Sequence, residues 1–274
     1  MKKLLLVLGL AATSAIGFGQ NNPNYNPDYN GNNHVDTGDL LGLLAEFGNE
    51  FNFISPCDSI VVEENACSNE NFVSYYGYTY DIVTIGNQCW FAENLRTDKY
   101  SNGDVIPYWF QGSPSTNEGQ YCVYEHSNDE NGYLYTYYTT IDTRNVCPSG
   151  WHVPNNTEWN IFGEYLGVDS LETDYNSSEW LGTNQGTELK SINWEGTNEW
   201  GFNALPGGSR GMLGNWGLLT WARWWSSSVI PSTGGDVSWG RALVSPNQSP
   251  GNGSKIWYTG FNNQDGLSIR CIKD

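Results

Sequence analysis

Apolar and more polar side chains alternate along residues 78–85, which is the pattern of a half-buried β-strand. Gly86 and Asn87 follow directly, and this dipeptide favours a two-residue turn between antiparallel strands. The run after the turn, residues 89–91, is apolar. The pattern therefore predicts a β-hairpin that opens a folded domain over residues 78–274.

A second pattern, with helical spacing, follows Pro154. It consists of a capping pair, an apolar stripe and a glycine stop: Asn155 with Glu158, then Trp159, Phe162 and Leu166, then Gly167. An Asn followed three residues later by Glu can form a capping box, and apolar residues three or four apart share one helix face. The pattern predicts a helix that begins after Asn155 and ends at Gly167.

The remainder of the chain, residues 168–274, alternates short apolar runs with Gly-rich turns and ends in a predicted strand near residues 266–272. No repeat with a fixed period is present, which argues against a solenoid or a propeller. A hairpin, one or two helices and a loop-rich β half together predict an α+β fold.

The first residues have the features of an export signal. Lys2 and Lys3 precede an apolar run at residues 4–12 that is too short to span a membrane. Small residues at Gly17 and Gly19 suit cleavage before Gln20. No later run approaches the roughly 20 apolar residues of a membrane helix. We expect residues 1–19 to be a signal peptide and the mature protein to be secreted or held at the cell surface.

Residues 28–39 have the spacing of a calcium loop. A tight loop of this kind presents oxygen ligands from positions 1, 3, 5, 7, 9 and 12. Those positions are held by Asp28, Asn30, Asn32, His34 through its carbonyl, Asp36 and Asp39. Asn33 replaces the usual glycine at position 6, and Asn tolerates the positive φ needed there. The sequence therefore predicts calcium as a cofactor, although an Asn-rich solvated linker remains the alternative.

An apolar run with helical spacing, residues 40–47, follows this loop and ends at Gly48. We assign residues 20–48 to the loop and its helix, and residues 49–77 to a linker or a small disulfide-stapled segment. An Asp at loop position 12 followed by two leucines resembles the calcium repeats of dockerins. Dockerins need two repeats to bind a cohesin, and this chain has one, so cohesin docking is not expected.

The protein is strongly acidic, with a formal net charge of −18 at pH 7. Such a chain is a poor partner for nucleic acid or an anionic membrane. Charged residues make up only 15% of the sequence and aromatic residues another 15%. The chain is therefore not a disordered polyanion, and its aromatic side chains can build a core.

Short segments rich in Trp, Gly and Cys recur between residues 78 and 271. In chain order they are Gly86-Asn87-Gln88-Cys89-Trp90-Phe91-Ala92-Glu93-Asn94-Leu95, Cys147-Pro148-Ser149-Gly150-Trp151-His152-Val153-Pro154, Gly201-Phe202, Leu205-Pro206-Gly207-Gly208, Trp224-Trp225-Ser226-Ser227-Ser228 and Ser268-Ile269-Arg270-Cys271. Together they resemble the Fibrobacter succinogenes major paralogous domain, a family of secreted bacterial modules with no settled activity.

The resemblance implies a fold related to the C-type-lectin-like and formylglycine-generating-enzyme superfold, with long Gly-rich loops. It also implies a long-range disulfide between Cys147 and Cys271, as in C-type-lectin-like domains. The calcium-dependent sugar motif of such lectins is absent from the sequence. Calcium-mediated sugar chelation by this domain is therefore not expected.

Six cysteines in an exported chain predict three disulfides. Beyond the bridge implied by the resemblance, Cys57 with Cys67 would staple the linker, and Cys89 with Cys122 would tie the hairpin to the next segment. These partners could also be exchanged, and the sequence alone does not choose.

Thirteen tryptophans suggest a sugar-binding surface, because aromatic rings offer flat apolar faces. Most of these rings are expected in the core. Trp221, Trp224 and Trp239 lie in Gly- and Ser-rich surroundings and are our candidates for exposed positions. Arg210 and Arg270 are predicted to form buried ion pairs with acids such as Glu93, with carboxylate binding as the alternative.

No catalytic pair emerges from the sequence. Glycoside hydrolysis requires two suitably spaced carboxylates. The spacing selects no pair among the candidates, which are Glu158, Glu164, Glu188, Glu195 and Glu199. His152 is predicted to have a structural hydrogen-bonding role, and no Gly-x-Ser-x-Gly nucleophile motif occurs.

The leading hypothesis is therefore a non-catalytic surface or extracellular module that binds glycan or another macromolecule, such as a polysaccharide or a cell-surface partner. The alternatives are an accessory or catalytic protein of polysaccharide degradation and a structural envelope or matrix protein.

Overall fold

The computed structural model describes residues 65–112, 114–115, 117–123, 130–169, 178–211, 214–216 and 219–274. All of them lie in one compact unit, Val62–Asp274. The expected signal peptide, calcium loop and following helix lie outside the described residues.

Short strands predominate in this unit, and three helices occur among the described residues. In chain order the elements are β1 Phe72–Tyr75, β2 Tyr78–Ile85, β3 Gln88–Phe91, β4 Tyr121–Cys122, β5 Leu134–Tyr135, α1 Tyr137–Thr140, β6 Trp151–His152, α2 Asn156–Tyr165, β7 Glu179–Leu181, α3 Gln185–Leu189, β8 Ser209–Gly211, β9 Gly214–Trp216, β10 Trp221–Val229, β11 Val237–Val244, β12 Ile256–Asn262 and β13 Ile272–Lys273. Short 3-10 turns occupy Ile192–Trp194 and Pro231–Thr233. The described residues form a small α+β domain, as the sequence predicts.

Two sheets contain most of the strands. The five-stranded sheet has the order β1-β2-β3-β13-β6, and the four-stranded sheet has the order β10-β11-β12-β7. Two further two-stranded pairs, β4-β5 and β8-β9, flank them. Residues 65–77, which the sequence assigns to a linker or stapled segment, contribute β1 to the larger sheet.

The predicted hairpin is confirmed. β2 and β3 pair antiparallel around the turn at Gly86 and Asn87, with Val83 opposite Trp90. Gly86 adopts a positive φ of 63°, which a glycine accepts without steric cost. A Cβ at this position would also meet the ring of Tyr165 at 2.7 Å, so the turn packs closely against the end of α2.

The predicted helix is confirmed as α2. The Asn155 side chain accepts a hydrogen bond from the Glu158 amide, and the Glu158 carboxylate accepts one from the Asn155 amide. This reciprocal cap satisfies two donors that the helix itself cannot pair. The apolar stripe of α2 packs into a core formed with β10, β11 and β12.

The predicted terminal strand is shorter than expected, because successive residues pair with different neighbours. Gly266 bridges Arg210, Leu267 bridges Tyr135 and Ser268 bridges Trp224, and only β13 forms a regular strand. β13 lies between β3 and β6, which are far apart in the sequence.

The disulfides correct part of the sequence interpretation. Cys147 is bonded to Cys271, in agreement with the pairing that the resemblance implies. Cys67 is bonded to Cys89, so the pairings Cys57–Cys67 and Cys89–Cys122 are both wrong. The reason is the sheet: β1 brings the segment that carries Cys67 beside the hairpin.

Cys122 lies in a different place. It is buried in β4 against Trp109 and Leu134 and carries a free thiol. Burial raises the pKa of this thiol to about 11. Cys57 lies outside the described residues.

Candidate functional site

The face of the four-stranded sheet opposite α2 carries a row of aligned side chains. Side chains alternate between the two faces of a strand, and the pairing register aligns them across the sheet. Trp257 in β12 lies opposite both Trp180 in β7 and Ala242 in β11, and Ala242 lies opposite Arg223 in β10. The alternate positions face the core shared with α2. The strand register thus places Trp180 beside Trp257, although the two residues are 77 positions apart in the sequence.

Trp180, Trp221 and Trp257 form a compact cluster on this face, which we call the tryptophan triad. The rings of Trp180 and Trp257 are stacked, with centroids 5.3 Å apart and planes 10° apart. Trp221 is tilted against both, at 5.7 Å from Trp257 and 6.1 Å from Trp180. All three side chains are half-buried. They therefore present one continuous aromatic surface.

Stacking and hydrogen bonds fix the triad at the edge of the sheet. Trp257 covers one face of Trp180, which lies in the edge strand β7. The Trp257 indole N–H donates to Ser178 Oγ at 3.0 Å, which fixes the orientation of that ring. Ser178 Oγ also lies 2.7 Å from Thr259 Oγ1. The triad is thus held in place by both stacking and hydrogen bonds.

A cationic group borders the triad. The Arg223 guanidinium lies 4.5 Å from the centroid of Trp221 and 5.8 Å from that of Phe261, within the range of a cation–π interaction. It also donates to Ser209 Oγ. Burial lowers the pKa of Arg223 to about 10, and burial raises the pKa of the nearby Asp265 carboxyl to about 6. Arg223 therefore stays protonated at neutral pH.

Two of the three tryptophans predicted to be exposed are buried. Trp224 and Trp239 are only 2% and 7% exposed. Trp224 points to the α2 side of the sheet, where its indole N–H donates to Asn94 Oδ1 at 2.8 Å. Their Gly- and Ser-rich surroundings gave no information on which face of the strand each residue occupies. The prediction is wrong for these two, and Trp221 is half-buried.

The sequence interpretation missed Trp180 and Trp257. In β12 the alternating sets are both largely apolar, with Trp257 and Phe261 on one face and Ile256 and Tyr258 on the other. The alternation therefore does not show which face is exposed. For Trp180 no local signal exists either, since β7 has only three residues.

Arg210 and Arg270 do not pair with carboxylates in the described part of the chain. Arg210 donates to the carbonyls of Trp109 at 2.6 Å and Phe110 at 3.1 Å, with its guanidinium 4.2 Å from the Trp109 ring. Glu93, the acid proposed as a partner, instead pairs with Arg96 at 2.9 Å. The expectation of ion pairs with acids such as Glu93 is therefore wrong.

Arg270 is completely buried and is satisfied by neutral oxygens. It donates to Asn94 Oδ1 at 3.0 Å and to the carbonyls of Phe91, Phe202 and Asn203. Its guanidinium also lies 3.9 Å from the centroid of Phe202. Burial lowers the pKa of Arg270. With these acceptors, Arg270 holds β3 and the 202–203 loop together and offers no group to a ligand.

A polar cleft of about 700 Å³ lies between the β2–β3 hairpin and the loop at residues 191–205. Its lining combines four carboxylate or guanidinium side chains with several amides and a few apolar groups. The lining includes Tyr78, Asp81, Glu93, Arg96, Glu130, Asn193, Asn198 and Asn203. No residue of the tryptophan triad lines this cleft.

His152 has the structural role that the sequence predicts. Its Nε2 lies 2.8 Å from Glu158 Oε1, and its Nδ1 lies 2.5 Å from Asp274 Oδ1. Hydrogen bonding to Glu158, followed by that to Asp274, raises the pKa of His152 to about 9. The imidazolium thus links β6, the cap of α2 and the residue after β13.

Several candidate carboxylates have structural contacts, and the Glu199 amide donates to the Glu188 carbonyl at 2.9 Å. Glu158 caps α2, and Glu188 accepts hydrogen bonds from Asn184 Nδ2 and Trp200 Nε1. Glu195 ends a 3-10 turn at a φ of 55°. Among the described residues, no group of three or more His, Cys, Asp or Glu could hold a metal ion.

The family model of the Fibrobacter succinogenes major domain matches residues 83–273, and the chain belongs to this family. No curated protein and no solved structure matches the chain. Within the described part of the chain, no helix is both long enough and apolar enough to cross a membrane.

Proposed function

We propose that this protein is an exported, non-catalytic module that binds a neutral polysaccharide through the tryptophan triad. The observation that carries the proposal is the clustering of three half-buried indoles on the face of one sheet that lies opposite α2. Apolar C–H faces of sugar rings pack against aromatic rings, and large aromatic side chains contribute much of the binding energy of such surfaces.

The charge distribution supports a neutral ligand. The net charge of −18 disfavours an anionic polymer. Arg210 and Arg270, the positive groups first considered for binding carboxylates, donate to carbonyl and amide oxygens of the protein. Arg223 borders the triad, where its guanidinium packs over the Trp221 ring.

The proposal also includes export, a C-type-lectin-like arrangement and calcium binding. Disulfides form and persist in oxidising compartments, so the two bridges support export. A C-type-lectin-like arrangement is supported by the long-range Cys147–Cys271 bridge and by a last strand that joins the first part of the domain. Calcium binding by residues 28–39, with Asp28 and Asp36 among the ligands, stays a prediction from the spacing of the loop.

The test is binding of the mature protein to an array of insoluble polysaccharides, followed by affinity measurement with soluble oligosaccharides. Trp180→Ala and Trp257→Ala should each weaken binding about 10-fold, equivalent to about 1.4 kcal/mol. Trp200→Ala is the matched control, because Trp200 is also half-buried but packs against Tyr165, away from the triad. Unchanged affinity in both triad variants, or no retention on any polysaccharide, would refute the proposal.

Alternatives from the sequence make different predictions in the same assay. A hydrolase would release reducing ends and lose this activity in Glu195→Gln or Glu199→Gln. A matrix protein would assemble with itself and bind no glycan. The Glu158 and Glu188 carboxylates are engaged in hydrogen bonds within the protein, which favours binding without cleavage.

A further inference from the structure

The cleft beside the β2–β3 hairpin has the size and the chemistry of a second binding site. Its volume of about 700 Å³ lies within the range of about 300–1,000 Å³ that is typical of small-ligand sites. The Cys67–Cys89 disulfide holds the hairpin on one side of the cleft, and Arg270 holds residues 202–203 on the other side.

One wall is a preformed polar unit of Tyr78, Glu93 and Arg96. The Arg96 guanidinium lies 4.0 Å from the centroid of the Tyr78 ring, and its Nη2 donates to Glu93 Oε2 at 2.9 Å. The Tyr78 hydroxyl donates to the same Glu93 oxygen at 2.5 Å, and the Asp81 amide donates to the other at 3.2 Å. The side chains of Arg96 and Glu93 are 13% and 18% exposed. Their polar groups are therefore fixed in position while part of each stays accessible from the cleft.

The opposite wall carries asparagines in an unusual backbone conformation. Asn198 and Asn203 have positive φ values of 49° and 51°. The Asn203 amide donates to Asn198 Oδ1 at 2.7 Å, and the Asn203 carbonyl accepts from Arg270 at 3.2 Å. Such conformations cost free energy and persist where surrounding contacts hold them. Buried Arg270 supplies that support.

The lining selects against anions. Asp81, Glu93 and Glu130 face a single cation, Arg96, so the cleft is negative overall. Side-chain amides both donate and accept, carboxylates accept, and the guanidinium donates. Hydroxyl groups also both donate and accept, so a ligand with many hydroxyls matches this mixture without bringing a charge into the cleft.

We propose that this cleft is a second saccharide site that takes a short segment or chain end of a neutral oligosaccharide. The proposal rests on the proposed function, because it assigns the same ligand class to a second place on the domain. Two sites on one domain let a single molecule engage one long polysaccharide twice, which raises the overall avidity without any new contact.

The experiment is a calorimetric titration of the mature protein with two neutral probes, cellohexaose and xylohexaose, and with an anionic control, hexagalacturonate. The cleft variant is Glu93→Gln with Asn203→Gly, since glycine accepts the positive φ of Asn203. The triad variant is Trp180→Ala with Trp257→Ala, and Glu199→Gln is the control for an exposed acid outside the cleft lining.

The expected result is two binding events per molecule for a neutral probe, with one lost in each double variant and none lost in Glu199→Gln. A single event abolished by the triad variant and unchanged in the cleft variant would overturn this inference and leave the proposed function standing. No binding of neutral probes by the unmodified protein would refute both. An event abolished only by the cleft variant would support the cleft and refute the triad.

A second measurement uses the unmodified protein, in case the cleft variant fails to fold. In NMR spectra, the side-chain amide resonances of Asn193, Asn198 and Asn203 are expected to shift when the protein is titrated with the oligosaccharide that it binds. Shifts confined to the indole N–H resonances of the triad would overturn the inference.

Discussion

Arg270 shows how one residue can unite distant parts of this domain. Its guanidinium donates hydrogen bonds to acceptors on β3 and on the 202–203 loop. Asn94 Oδ1 accepts hydrogen bonds from both Arg270 and the Trp224 indole. Asn94 Nδ2 in turn donates to the Asn131 carbonyl at 2.8 Å. The buried network joins both sheets through side-chain and main-chain oxygens.

Replacement of Arg270 by Met should destabilise the domain by about 3 kcal/mol or more, because it leaves buried oxygens without donors. Chemical denaturation of the purified protein measures this loss. Lys273→Met is the control, since the Lys273 ammonium group contacts the exposed residues Ser68 and Glu70, and its loss should change stability by less than about 1 kcal/mol. Equal effects of the two variants would contradict the role assigned to Arg270.

At the residue scale, local patterns predicted side chains whose partners are close in sequence. The cap formed by Asn155 and Glu158 is one example. Trp180 and Trp257 could not be found together in this way, because their contact depends on the register between β7 and β12. The same limit explains the wrong assignment of Trp224 and the wrong acid partner for Arg270.

At the scale of elements, α2 is joined to its surroundings through an ionisable contact. Glu158 uses one oxygen for the Asn155 amide and the other for His152 Nε2. The His152 side chain is 36% exposed, so solvent screens part of this interaction.

The pKa of His152, raised from 6.5 to about 9, predicts a pH dependence of stability. The stabilisation is fully present below pH 6.5 and is lost as the pH rises through about 9, because the folded state then releases its extra proton. We expect the free energy of unfolding to fall by about 1–2 kcal/mol across this window, after allowance for screening. Denaturation of the unmodified protein and of His152→Gln between pH 6 and pH 10 measures the difference. A parallel decline in both proteins would contradict it.

The hairpin and α2 were predictable because each is specified by adjacent residues. The order of the strands was not, since β13 pairs with β3 and β6, which come from distant parts of the chain. Residues 266–268 each pair with a different neighbour, so no periodic pattern could have predicted their positions.

At the scale of the whole molecule, the two disulfides close loops of very different length. The cysteines are 124 residues apart in the Cys147–Cys271 bridge and 22 apart in the Cys67–Cys89 bridge. In the chain-entropy model, longer loops restrict the unfolded chain more.

Loss of Cys147–Cys271 should therefore be more destabilising than loss of Cys67–Cys89. Replacing each pair by Ala should lower the free energy of unfolding by about 5 and about 3 kcal/mol, respectively. Denaturation of the two double variants, each with the other bridge intact, measures the order. An equal or reversed order would contradict the entropic account.

The family and fold class followed from the sequence, since the motifs lie along the chain in a fixed order. The pairing of Cys67 was not predictable, because no strand was expected in the segment before Tyr78. The free thiol of Cys122 was not predictable either, because its neighbours Trp109 and Leu134 come from other segments of the chain.

The position of the last segment has a consequence for how the protein is made. Leu267, Ile269 and Arg270 are completely buried, and β13 fills the space between β3 and β6. A chain that leaves the ribosome from its N-terminus therefore lacks the strand that joins β3 to β6 until residues 272–273 have emerged. The larger sheet cannot close while the domain is still being synthesised, so its folding waits for this last segment.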